Sequence, residues 1–353
     1  MNHNFNSILI EYDLNASDFI IEALGNGLIN ETFGLRSEGG SYEYVLQKIN
    51  TSVFSKPEKI ASNYQCASDF LKSNNADYFF LPVLKTKHNQ YLSMQPETGV
   101  WRLMPFVKDS ISFDVATKPK QAFSAASQFA RLTRMLDGIN PANFHDVIPE
   151  FHNLLVRFKN FKNSVTAASI FRLKKAAQLI EFYNNQNFIV STYESILNEN
   201  KIPLRIQHND TKINNVLYSK STNEAICVID LDTLMPGFFI YDLGDMIRTY
   251  TCAADENETD FEKVVIRPDF YAATIEGYLS EMKSVLTNEE ISLIPYAGQM
   301  MIYIMGLRFL TDYLMNDVYY KIKYDEHNLN RAANQMHLLT SLQSLLQKVS
   351  TIQ

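Results

Sequence analysis

The spacing of apolar residues changes near residue 113, and this change constrains the fold more than any other feature of the chain. Before it, apolar and polar residues alternate with the period of two typical of half-buried strands, as in YEYVLQKIN at residues 42–50. One helical segment, residues 56–75, interrupts these strands, and Pro57 suits its first turn. After residue 113 apolar residues recur at helical spacing, for example over residues 123–136. The sequence therefore predicts an α+β protein with a small strand-rich part followed by a larger helical part.

Further elements follow from the same periodicities. Strands are predicted over DYFFLPVLKT (77–86), QYLSMQ (90–95) and WRLMPFV (101–107). Helices are predicted over residues 149–163, 168–184 and 187–199. The stretch Ile291–Leu307 has 17 residues without a charge and includes Pro295 and Gly306. A membrane-spanning helix needs about 20 predominantly apolar residues, so we expect this stretch to be a buried helix.

Charge and cysteine content narrow the possible functions. The 32 basic and 39 acidic residues give a net charge of −7, and no cluster of lysine and arginine stands out. Nucleic acid is therefore not an expected partner. The three cysteines, Cys66, Cys227 and Cys252, have no CxxC spacing, which favours a reducing compartment. With no evident targeting segment, we expect a cytoplasmic protein that does not bind membranes and whose oligomeric state the sequence leaves open.

Residues 206–237 carry the pattern with the most chemical information. Asp210 and Asn215 lie five positions apart in a polar loop, and Asp230 follows the next apolar run. Carboxylate and amide oxygens suit Mg²⁺, so Asn215 and Asp230 are predicted metal ligands. Asp210 is the candidate general base, and Lys212 is the candidate that stabilises charge on a transferring phosphoryl group. The alternative interpretation is that these Asp and Asn residues cap a hairpin turn.

The pattern H-x-D-x-x-x-x-N within residues 206–218, followed by the I-D pair at 229–230, resembles the aminoglycoside phosphotransferase and choline kinase superfamily, relatives of the protein kinases. The resemblance implies a protein-kinase-like two-lobe fold. A nucleotide-binding lobe with a small antiparallel sheet is expected at residues 1–106, and a larger, mainly helical catalytic and sugar-binding lobe at residues 107–353. ATP as co-substrate and Mg²⁺ as cofactor are implied as well.

Three residues near the loop have supporting roles in this interpretation. The resemblance implies that His208 packs and orients the loop, and that Asp242, in YDLGDMIR, braces the loop by hydrogen bonds. Asp232 is compatible with two roles, since it either supports the metal site or caps the following turn.

The expected nucleotide-binding lobe contains ALGNGLINETFGL at residues 23–35. Gly25 and Gly27 allow backbone N–H groups to approach phosphate oxygens, and Asn30 and Thr32 add side-chain donors. A G-x-G pair is also common in the turns of β-hairpins.

Lys48 in VLQKIN matches the phosphate-pairing lysine or arginine of the superfamily. Gln47 on the opposite face of the strand is its competitor, and a solvated lysine is the alternative interpretation. Glu58 is the only acid early in the next helix, so the acidic partner of Lys48 stays open. The run at residues 101–107, which includes Trp101, is the expected hinge.

Finer matches run from residue 25 to residue 320. GNGLINETF, YVLQKINTSVF, IPEFHNLLVRF, HNDTKINNVL, VIDLDTLMPGFFIYDLGDMIR and GLRFLTDYL together resemble the N-acetylhexosamine 1-kinases, bacterial enzymes that phosphorylate the anomeric hydroxyl of N-acetylglucosamine or N-acetylgalactosamine. This resemblance implies sugar contacts at Asp210, at Asp230 or Thr233, at Arg308 and at Tyr319. Arg308 as a helix-surface charge and Tyr319 as a core aromatic are the alternatives.

Three functional hypotheses follow. The first is a sugar 1-kinase, which a single tryptophan and mild acidity favour over a choline kinase, because a cationic acceptor needs an aromatic or acidic cage. The second is a kinase of choline, homoserine or an aminoglycoside. The third is a nucleotide-binding pseudokinase that acts as a scaffold, although such a protein has no need of all three residues Asp210, Asn215 and Asp230.

Overall fold

The computed structural model describes residues 4–25 and 29–351. Its strands are β1 (Ile20–Ala23), β2 (Glu31–Arg36), β3 (Tyr42–Ile49), β4 (Ser93–Gln95), β5 (Gly99–Pro105), β6 (Ser110–Ile111), β7 (Arg205–Gln207), β8 (Val216–Ser219), β9 (Ala225–Val228) and β10 (Met235–Gly237). Its helices are α1 (Phe5–Leu9), α2 (Pro57–Asn74), α3 (Pro119–Met135), α4 (Leu154–Ala167), α5 (Ile170–Asn185), α6 (Asn187–Asn198), α7 (Phe239–Tyr250), α8 (Pro268–Met282), α9 (Asn288–Ser292), α10 (Ile294–Leu314) and α11 (His327–Ser350). The antiparallel sheet near the N-terminus and the helical remainder confirm the predicted fold class.

The chain forms two compact units. The first, called the sheet unit below, comprises Met1–Ser112, Gly138–Pro149 and Leu217–Pro236. The second, called the helical unit, comprises Phe113–Asp137, Glu150–Val216 and Gly237–Gln353. Each unit draws on three separate stretches of chain, so the lobe boundary expected at residues 106 and 107 stays a prediction.

The sheet unit is built on an antiparallel sheet in which five strands of the described chain have the order β1-β2-β3-β5-β4. Gln47 of β3 lies opposite Thr32 of β2 and Arg102 of β5, whereas Lys48 lies opposite Glu31 and Trp101. Successive residues of a strand point to opposite faces. The sheet therefore separates a polar row on one face from the Lys48 row on the other.

The face that carries Lys48 is covered by the N-terminal segment. Ile8 and Leu9 of α1 pack with Leu46, Trp101 and other buried residues in one apolar cluster. Trp101 is fully buried in the middle of β5, and that strand continues to Pro105. The strand predicted over residues 101–107 is therefore confirmed as β5, and the role of this run as a hinge stays a prediction.

The structure confirms two other sequence predictions and contradicts a third. Helix α2 begins at Pro57 as expected, and the predicted strand at 42–50 is confirmed as β3. The run at 77–86 is not a strand, since within it only Leu84 forms an isolated bridge, to Leu103. The hydroxyl of Tyr64 in α2 bonds to backbone groups of this run, and so takes the place of a neighbouring strand.

In the helical unit, α7 packs closely against α10. A Cβ added at Gly244 of α7 would lie 2.4 Å from the carbonyl oxygen of Ala297, so only glycine fits at this crossing. Helix α10 is buried over most of its length, as predicted for its uncharged sequence. In the part of the chain that the structure describes, no helix is both long and apolar enough to cross a membrane.

Candidate active site

The predicted catalytic loop leaves β7 and runs through residues 208–212 into a short 3-10 turn at Ile213–Asn215. Asn209 adopts a left-handed conformation with a φ of 64°, and the backbone N–H of Asn215 donates to the carbonyl oxygen of Lys212 at 3.0 Å. The loop is therefore tightly turned, and its backbone groups need acceptors from outside it.

Asp242, in the first turn of α7, supplies two of these acceptors. Its carboxylate oxygens accept the backbone N–H groups of His208 at 2.8 Å and of Asn209 at 2.7 Å. Burial raises the pKa of Asp242 to about 6, against the lowering effect of His208 and of the two backbone N–H groups. The predicted bracing role of Asp242 is confirmed.

Thr211 is held at three further points. Its backbone N–H donates to Asp245 Oδ2 at 3.1 Å, its hydroxyl donates to the Asp242 carbonyl at 2.9 Å, and its own carbonyl accepts the Tyr250 hydroxyl. Arg248 bonds to Asp245 Oδ1 through two nitrogens, at 3.0 and 2.8 Å. The peptide groups on either side of Asp210 are thus fixed by buried side chains of α7.

Asp210 itself is only partly covered and has its own partners. Lys212 Nζ lies 3.1 Å from Oδ1, and the Asn215 amide nitrogen donates to the Asp210 carbonyl at 2.9 Å and to Oδ2 at 3.3 Å. Burial would raise the pKa of Asp210, but the charges of Lys212, His208 and Arg248 outweigh it and hold that pKa below its ordinary value. The carboxylate is ionised at neutral pH and is able to accept a hydrogen bond from a hydroxyl group.

His208 and His152 flank the loop and contact its backbone through different ring nitrogens. The His208 ring packs edge-on against Phe129 at 4.9 Å, and its Nδ1 accepts the backbone N–H of Asp210 at 3.3 Å, in keeping with the packing and orienting role expected for it. His152 Nε2 lies 3.0 Å from the Asn209 carbonyl, and burial lowers the pKa of His152 to about 4. His152 is therefore neutral and donates from Nε2, a role the sequence did not indicate.

The second acidic segment lies in the sheet unit, after β9. Asp230 is exposed and has left-handed backbone angles, φ 60° and ψ 59°, at the start of a 3-10 turn at Leu231–Thr233. Asp232 and Thr233 in that turn are buried. The buried Asn63 of α2 donates to the Leu234 carbonyl at 2.9 Å. The segment thus exposes Asp230 while it buries the residues that follow.

Asp232 is held by the polar row of the sheet. One of its oxygens accepts a hydrogen bond from Arg102, and the other accepts the Asn30 amide at 2.7 Å. Both carboxylate oxygens of Asp232 thus bond to side chains of the sheet unit, and its support of the predicted metal site stays a prediction. Asn30 and Thr32, predicted phosphate donors, both bond to protein: Asn30 to Asp232 and Asn50, and Thr32 to Gln47 at 3.0 Å.

Lys48 lies on the other face of the sheet. Its Nζ is 3.6 Å from Glu31 and 5.8 Å from the centre of the Trp101 ring. The ion pair is with Glu31, not with the exposed Glu58 considered from the sequence. The phosphate-binding role of Lys48 stays a prediction.

Of the two glycines predicted to approach phosphate oxygens, the structure describes Gly25. Gly25 has a φ of 75°, which favours glycine, and a Cβ there would meet no atom within 4 Å. Gly27 lies outside the described residues, so its predicted contact with phosphate oxygens stays a prediction.

Of the predicted sugar-binding residues, Arg308 and Tyr319 lie in the helical unit, as Asp210 does, whereas Asp230 and Thr233 lie in the sheet unit. The Arg308 guanidinium lies 5.5 Å from the Phe151 ring centre, and Phe151 precedes His152, which bonds to the loop. Tyr319 is 71% exposed and packs edge-on against Tyr320 at 4.8 Å. The structure thus places Arg308 closer to the loop elements than the surface position considered for it, and Tyr319 at the surface rather than in the core.

Two residues missed by the sequence analysis accompany Arg308. The Tyr320 ring centre is 5.7 Å from the Arg308 guanidinium, and the buried Tyr320 hydroxyl has no hydrogen-bond partner among the described residues. Burial lowers the pKa of Arg157, and the positive charge of Arg308 lowers it further. No sequence signal marked Arg157, and Tyr320 is indistinguishable from Tyr319 in the run NDVYYK.

A model of the phosphotransferase enzyme family, APH, matches residues 20–285. The chain belongs to this family. The match includes the loop with Asp210 and the turn with Asp230, so both candidate segments lie within the family region. The protein is a phosphotransferase, and the kinase relationship expected from the sequence is confirmed at that level.

Several solved structures share the fold of this phosphotransferase. A choline/ethanolamine kinase family protein from Mesorhizobium loti has a TM-score of 0.56 at 16% identity, with 92% of each chain covered. The microcompartment-associated aminopropanol kinase has a TM-score of 0.62 at 13% identity, with 98% of this chain and 97% of that chain covered. Amicoumacin kinase, in complex with AMP-PNP, Ca²⁺ and Ami, has a TM-score of 0.59 at 13% identity, with 95% and 92% covered. These likenesses confirm the protein-kinase-like fold and leave the acceptor open.

The residues predicted to bind a divalent cation suit one chemically. Asn215 uses its amide nitrogen on Asp210, which directs the amide oxygen away from that carboxylate, and Asp230 presents an exposed carboxylate. Both are hard oxygen donors of the kind that Mg²⁺ prefers. Within residues 4–25 and 29–351, no group of three His, Cys, Asp or Glu side chains is arranged to hold a metal.

Proposed function

We propose that this phosphotransferase is an ATP-dependent kinase of N-acetylhexosamines that phosphorylates the anomeric hydroxyl of N-acetylglucosamine or N-acetylgalactosamine. The family match supports transfer of phosphate to a small molecule, and the sequence resemblance supports the sugar. The observation that carries the choice of acceptor is the pair of arginines beside the Asp210 loop.

Arg157 and Arg308 carry positive charge that is weakly compensated, since the charge of Glu150 acts on Arg157 less strongly than the opposing charge of Arg308. Arg157 donates to the carbonyl oxygens of Glu150 and Phe151, both at 3.1 Å, and Arg308 contacts the sulfur of Met305 at 3.5 Å. Among the described residues, neither guanidinium forms an ion pair with a carboxylate. Glu256, a partly exposed acid of this unit, already pairs with Arg248 and Arg331.

This charge distribution favours a neutral acceptor over a cationic one. An ammonium group placed between two unpaired guanidinium groups would be repelled, because like charges a few ångströms apart in a partly buried site interact strongly. The choline, ethanolamine, aminopropanol and aminoglycoside acceptors named for structural relatives carry such groups. The hydroxyl and acetamido groups of an N-acetylhexosamine accept hydrogen bonds from guanidinium and phenol donors.

In the proposed reaction Asp210 orients the C1 hydroxyl and accepts its proton as the phosphoryl group moves to the oxygen. Its low pKa suits phosphoryl transfer, in which positioning contributes more than strong base catalysis. Lys212 stabilises charge on the transferring group, and Asn215 and Asp230 would hold a divalent cation. When bound, that cation neutralises the phosphate oxygens of ATP. Gly25, Gly27, Asn30, Thr32 and Lys48 are the proposed nucleotide contacts; Thr233, Arg308 and Tyr319 are proposed for the sugar.

A panel of acceptors tests the proposal. ADP release with Mg²⁺ and ATP is measured for N-acetylglucosamine, N-acetylgalactosamine, choline, ethanolamine, homoserine and an aminoglycoside. We expect release with the N-acetylhexosamines, together with loss of borohydride-reducible sugar, because a 1-phosphate has no reducing end. ADP release without that loss would exclude C1, and release only with an amine would replace the sugar by a cationic acceptor.

The arginine argument is tested by Arg308→Met. Loss of a hydrogen bond from a charged group costs about 1.5–3 kcal/mol, so we expect KM for the sugar to rise about 10- to 100-fold while KM for ATP stays unchanged. The matched control is Arg134→Met, which removes a surface ion pair with Glu281 in the same unit. Equal effects of the two variants on KM for the sugar would contradict the role of Arg308.

A further inference from the structure

A continuous hydrogen-bonded row crosses the inner strands of the sheet unit. The Gln47 amide nitrogen donates to the Thr32 hydroxyl at 3.0 Å, and its carbonyl oxygen accepts Arg102 Nε at 2.9 Å and Nη2 at 2.7 Å. Because these three residues lie opposite one another in register, the row is part of the sheet itself. The sheet therefore fixes the direction in which the Arg102 side chain points.

The remaining terminal nitrogen of Arg102, Nη1, binds Asp232. The side chains of this ion pair are 6% and 3% exposed, and the second oxygen of Asp232 is taken by Asn30. A buried carboxylate without partners is strongly unfavourable, so Asp232 keeps its place only while Arg102 and Asn30 hold it. The position of Asp232 is thus set by the sheet.

Asp232 in turn lies two residues after Asp230. The short turn Leu231–Thr233 joins them, closed by the Leu234 N–H on the Leu231 carbonyl at 3.1 Å. Asp230 has left-handed backbone angles, which non-glycine residues adopt only when the surroundings hold them there. Asp230, the strained residue, is therefore two positions from Asp232, whose place the sheet fixes.

We propose that Arg102 is a positioning residue: through Asp232 it fixes the 230–234 turn so that the Asp230 carboxylate is held ready for a divalent cation. The divalent cation would then bind beside the 230–234 turn. The proposal rests on the proposed function only in treating Asp230 as a ligand of the cation, and it is independent of the acceptor.

The test measures binding of AMP-PNP by calorimetry, with Mg²⁺ in excess and in EDTA, so no acceptor is needed. Outer partners of metal ligands typically contribute 10- to 100-fold to metal affinity. For Arg102→Met we expect the Mg²⁺-dependent gain in AMP-PNP affinity to fall about tenfold or more, with affinity in EDTA unchanged. Arg102→Lys should lie between Met and wild type, because lysine keeps the charge but cannot bind Gln47 and Asp232 together.

Two further variants separate positioning from other roles. Arg36→Met removes an arginine that pairs with Glu22 at the surface of the same sheet, and should leave both affinities unchanged. Lys48→Met, if Lys48 binds phosphate, should weaken binding both with Mg²⁺ and in EDTA. If Lys48→Met instead kept its AMP-PNP affinity in EDTA and lost only the Mg²⁺-dependent gain, loss of that gain would not be specific to variants that disturb the 230–234 turn. The proposal would then be wrong.

A folded Arg102→Met protein with the wild-type Mg²⁺ dependence would overturn the proposal. Should this variant fail to fold, Gln47→Met decides, because it leaves the ion pair in place and removes the acceptor that aims Arg102, together with the bond to Thr32. We then expect a smaller loss of the Mg²⁺-dependent gain, and an unchanged gain would refute the positioning role. A failure of the sugar panel leaves this test intact, so the two proposals fail separately.

Discussion

Both candidate acidic segments expose one aspartate and bury a carboxylate close to it, but they hold their backbones in different ways. In the helical unit, Asp242 and Asp245 accept backbone N–H groups on both sides of Asp210, and the Tyr250 hydroxyl adds a bond to the Thr211 carbonyl. In the sheet unit, the turn after Asp230 is held by the Asp232 side chain, which bonds to Arg102 and Asn30, and by the Asn63 amide, which donates to the Leu234 carbonyl.

The two segments differ in how many bonds reach their backbone groups directly. Around Asp210, several bonds reach the peptide groups directly, so loss of one leaves the others in place. Around Asp230, the loss of Arg102 removes an ion-pair partner of the buried Asp232 and leaves the Asn30 amide as the donor to that carboxylate among the described residues. We therefore expect the loop to tolerate changes in its anchors better than the turn does, and the variants below test this in order of expected effect.

The largest effect is expected for Asp210→Asn, which removes the reacting carboxylate and leaves every anchor in place. General base catalysis typically contributes 10²- to 10⁴-fold, so kcat should fall by about that factor, with Tm and AMP-PNP affinity unchanged. Steady-state kinetics, thermal unfolding and calorimetry measure the three quantities. The control is Asp269→Asn, at an exposed position in the first turn of α8.

A kcat for Asp210→Asn within tenfold of wild type would contradict the role of Asp210 as base. It would also contradict the comparison of the two segments, because the bonds around the loop would then hold a residue without a role in catalysis. The pseudokinase hypothesis would become the better one.

The sequence identified the exposed aspartates but not the anchor of the turn. Asp210, Asn215 and Asp242 were identified because their spacing in the chain carries the pattern, and the Asp242 contacts agree with it. Arg102 was missed because its importance depends on cross-strand register with Gln47 and on a contact with Asp232, 130 positions away in sequence. Neither can be derived from local spacing.

The fold was predicted where local patterns dominate and missed where side chains replace backbone partners. Helix α2 and strand β3 have clear periodicities and were predicted almost to the residue. The run at 77–86 alternates like a strand, yet the hydroxyl of Tyr64 satisfies two of its backbone groups and no strand forms there. A pattern of alternating apolar residues does not reveal which group will accept the hydrogen bonds.

The second effect concerns the pH dependence of Asp242. Above its pKa of about 6, the carboxylate accepts both backbone N–H groups; as pH falls through 6, it gains a proton and can no longer accept both bonds equally well. We expect kcat of wild type to fall between pH 7 and pH 5. Asp242→Asn, which does not titrate, should have a lower kcat at pH 7 and a smaller loss on acidification.

Stability should change in the opposite direction. A group whose pKa is raised in the folded state stabilises the protein at low pH, and this stabilisation is lost as pH rises through 6. As pH falls from 7 to 5, the free energy of unfolding of wild type should therefore increase by about 1 kcal/mol relative to that of Asp242→Asn. His152, whose pKa is lowered to about 4, acts in the other sense, because the unfolded chain takes up its proton first. Since His152 is present in both proteins, the difference between them isolates Asp242. A wild-type kcat that rises on acidification, or a stability difference that falls, would contradict this account.

The smallest effect is expected for Tyr250→Phe, which removes a single anchor from the redundantly held loop. The Thr211 N–H and hydroxyl keep their bonds to Asp245 and Asp242, so the variant should lose about 0.5–1.5 kcal/mol of unfolding free energy, the net value of one hydrogen bond. We expect kcat to change less than the Mg²⁺-dependent affinity changes in Arg102→Met. Tyr296→Phe is the matched control, because its buried hydroxyl donates to the Ile189 carbonyl at 2.7 Å elsewhere in the helical unit. If Tyr250→Phe reduced kcat as strongly as Asp210→Asn while Tyr296→Phe left it unchanged, the loop would depend on one anchor after all, and the distinction between the two segments would be wrong.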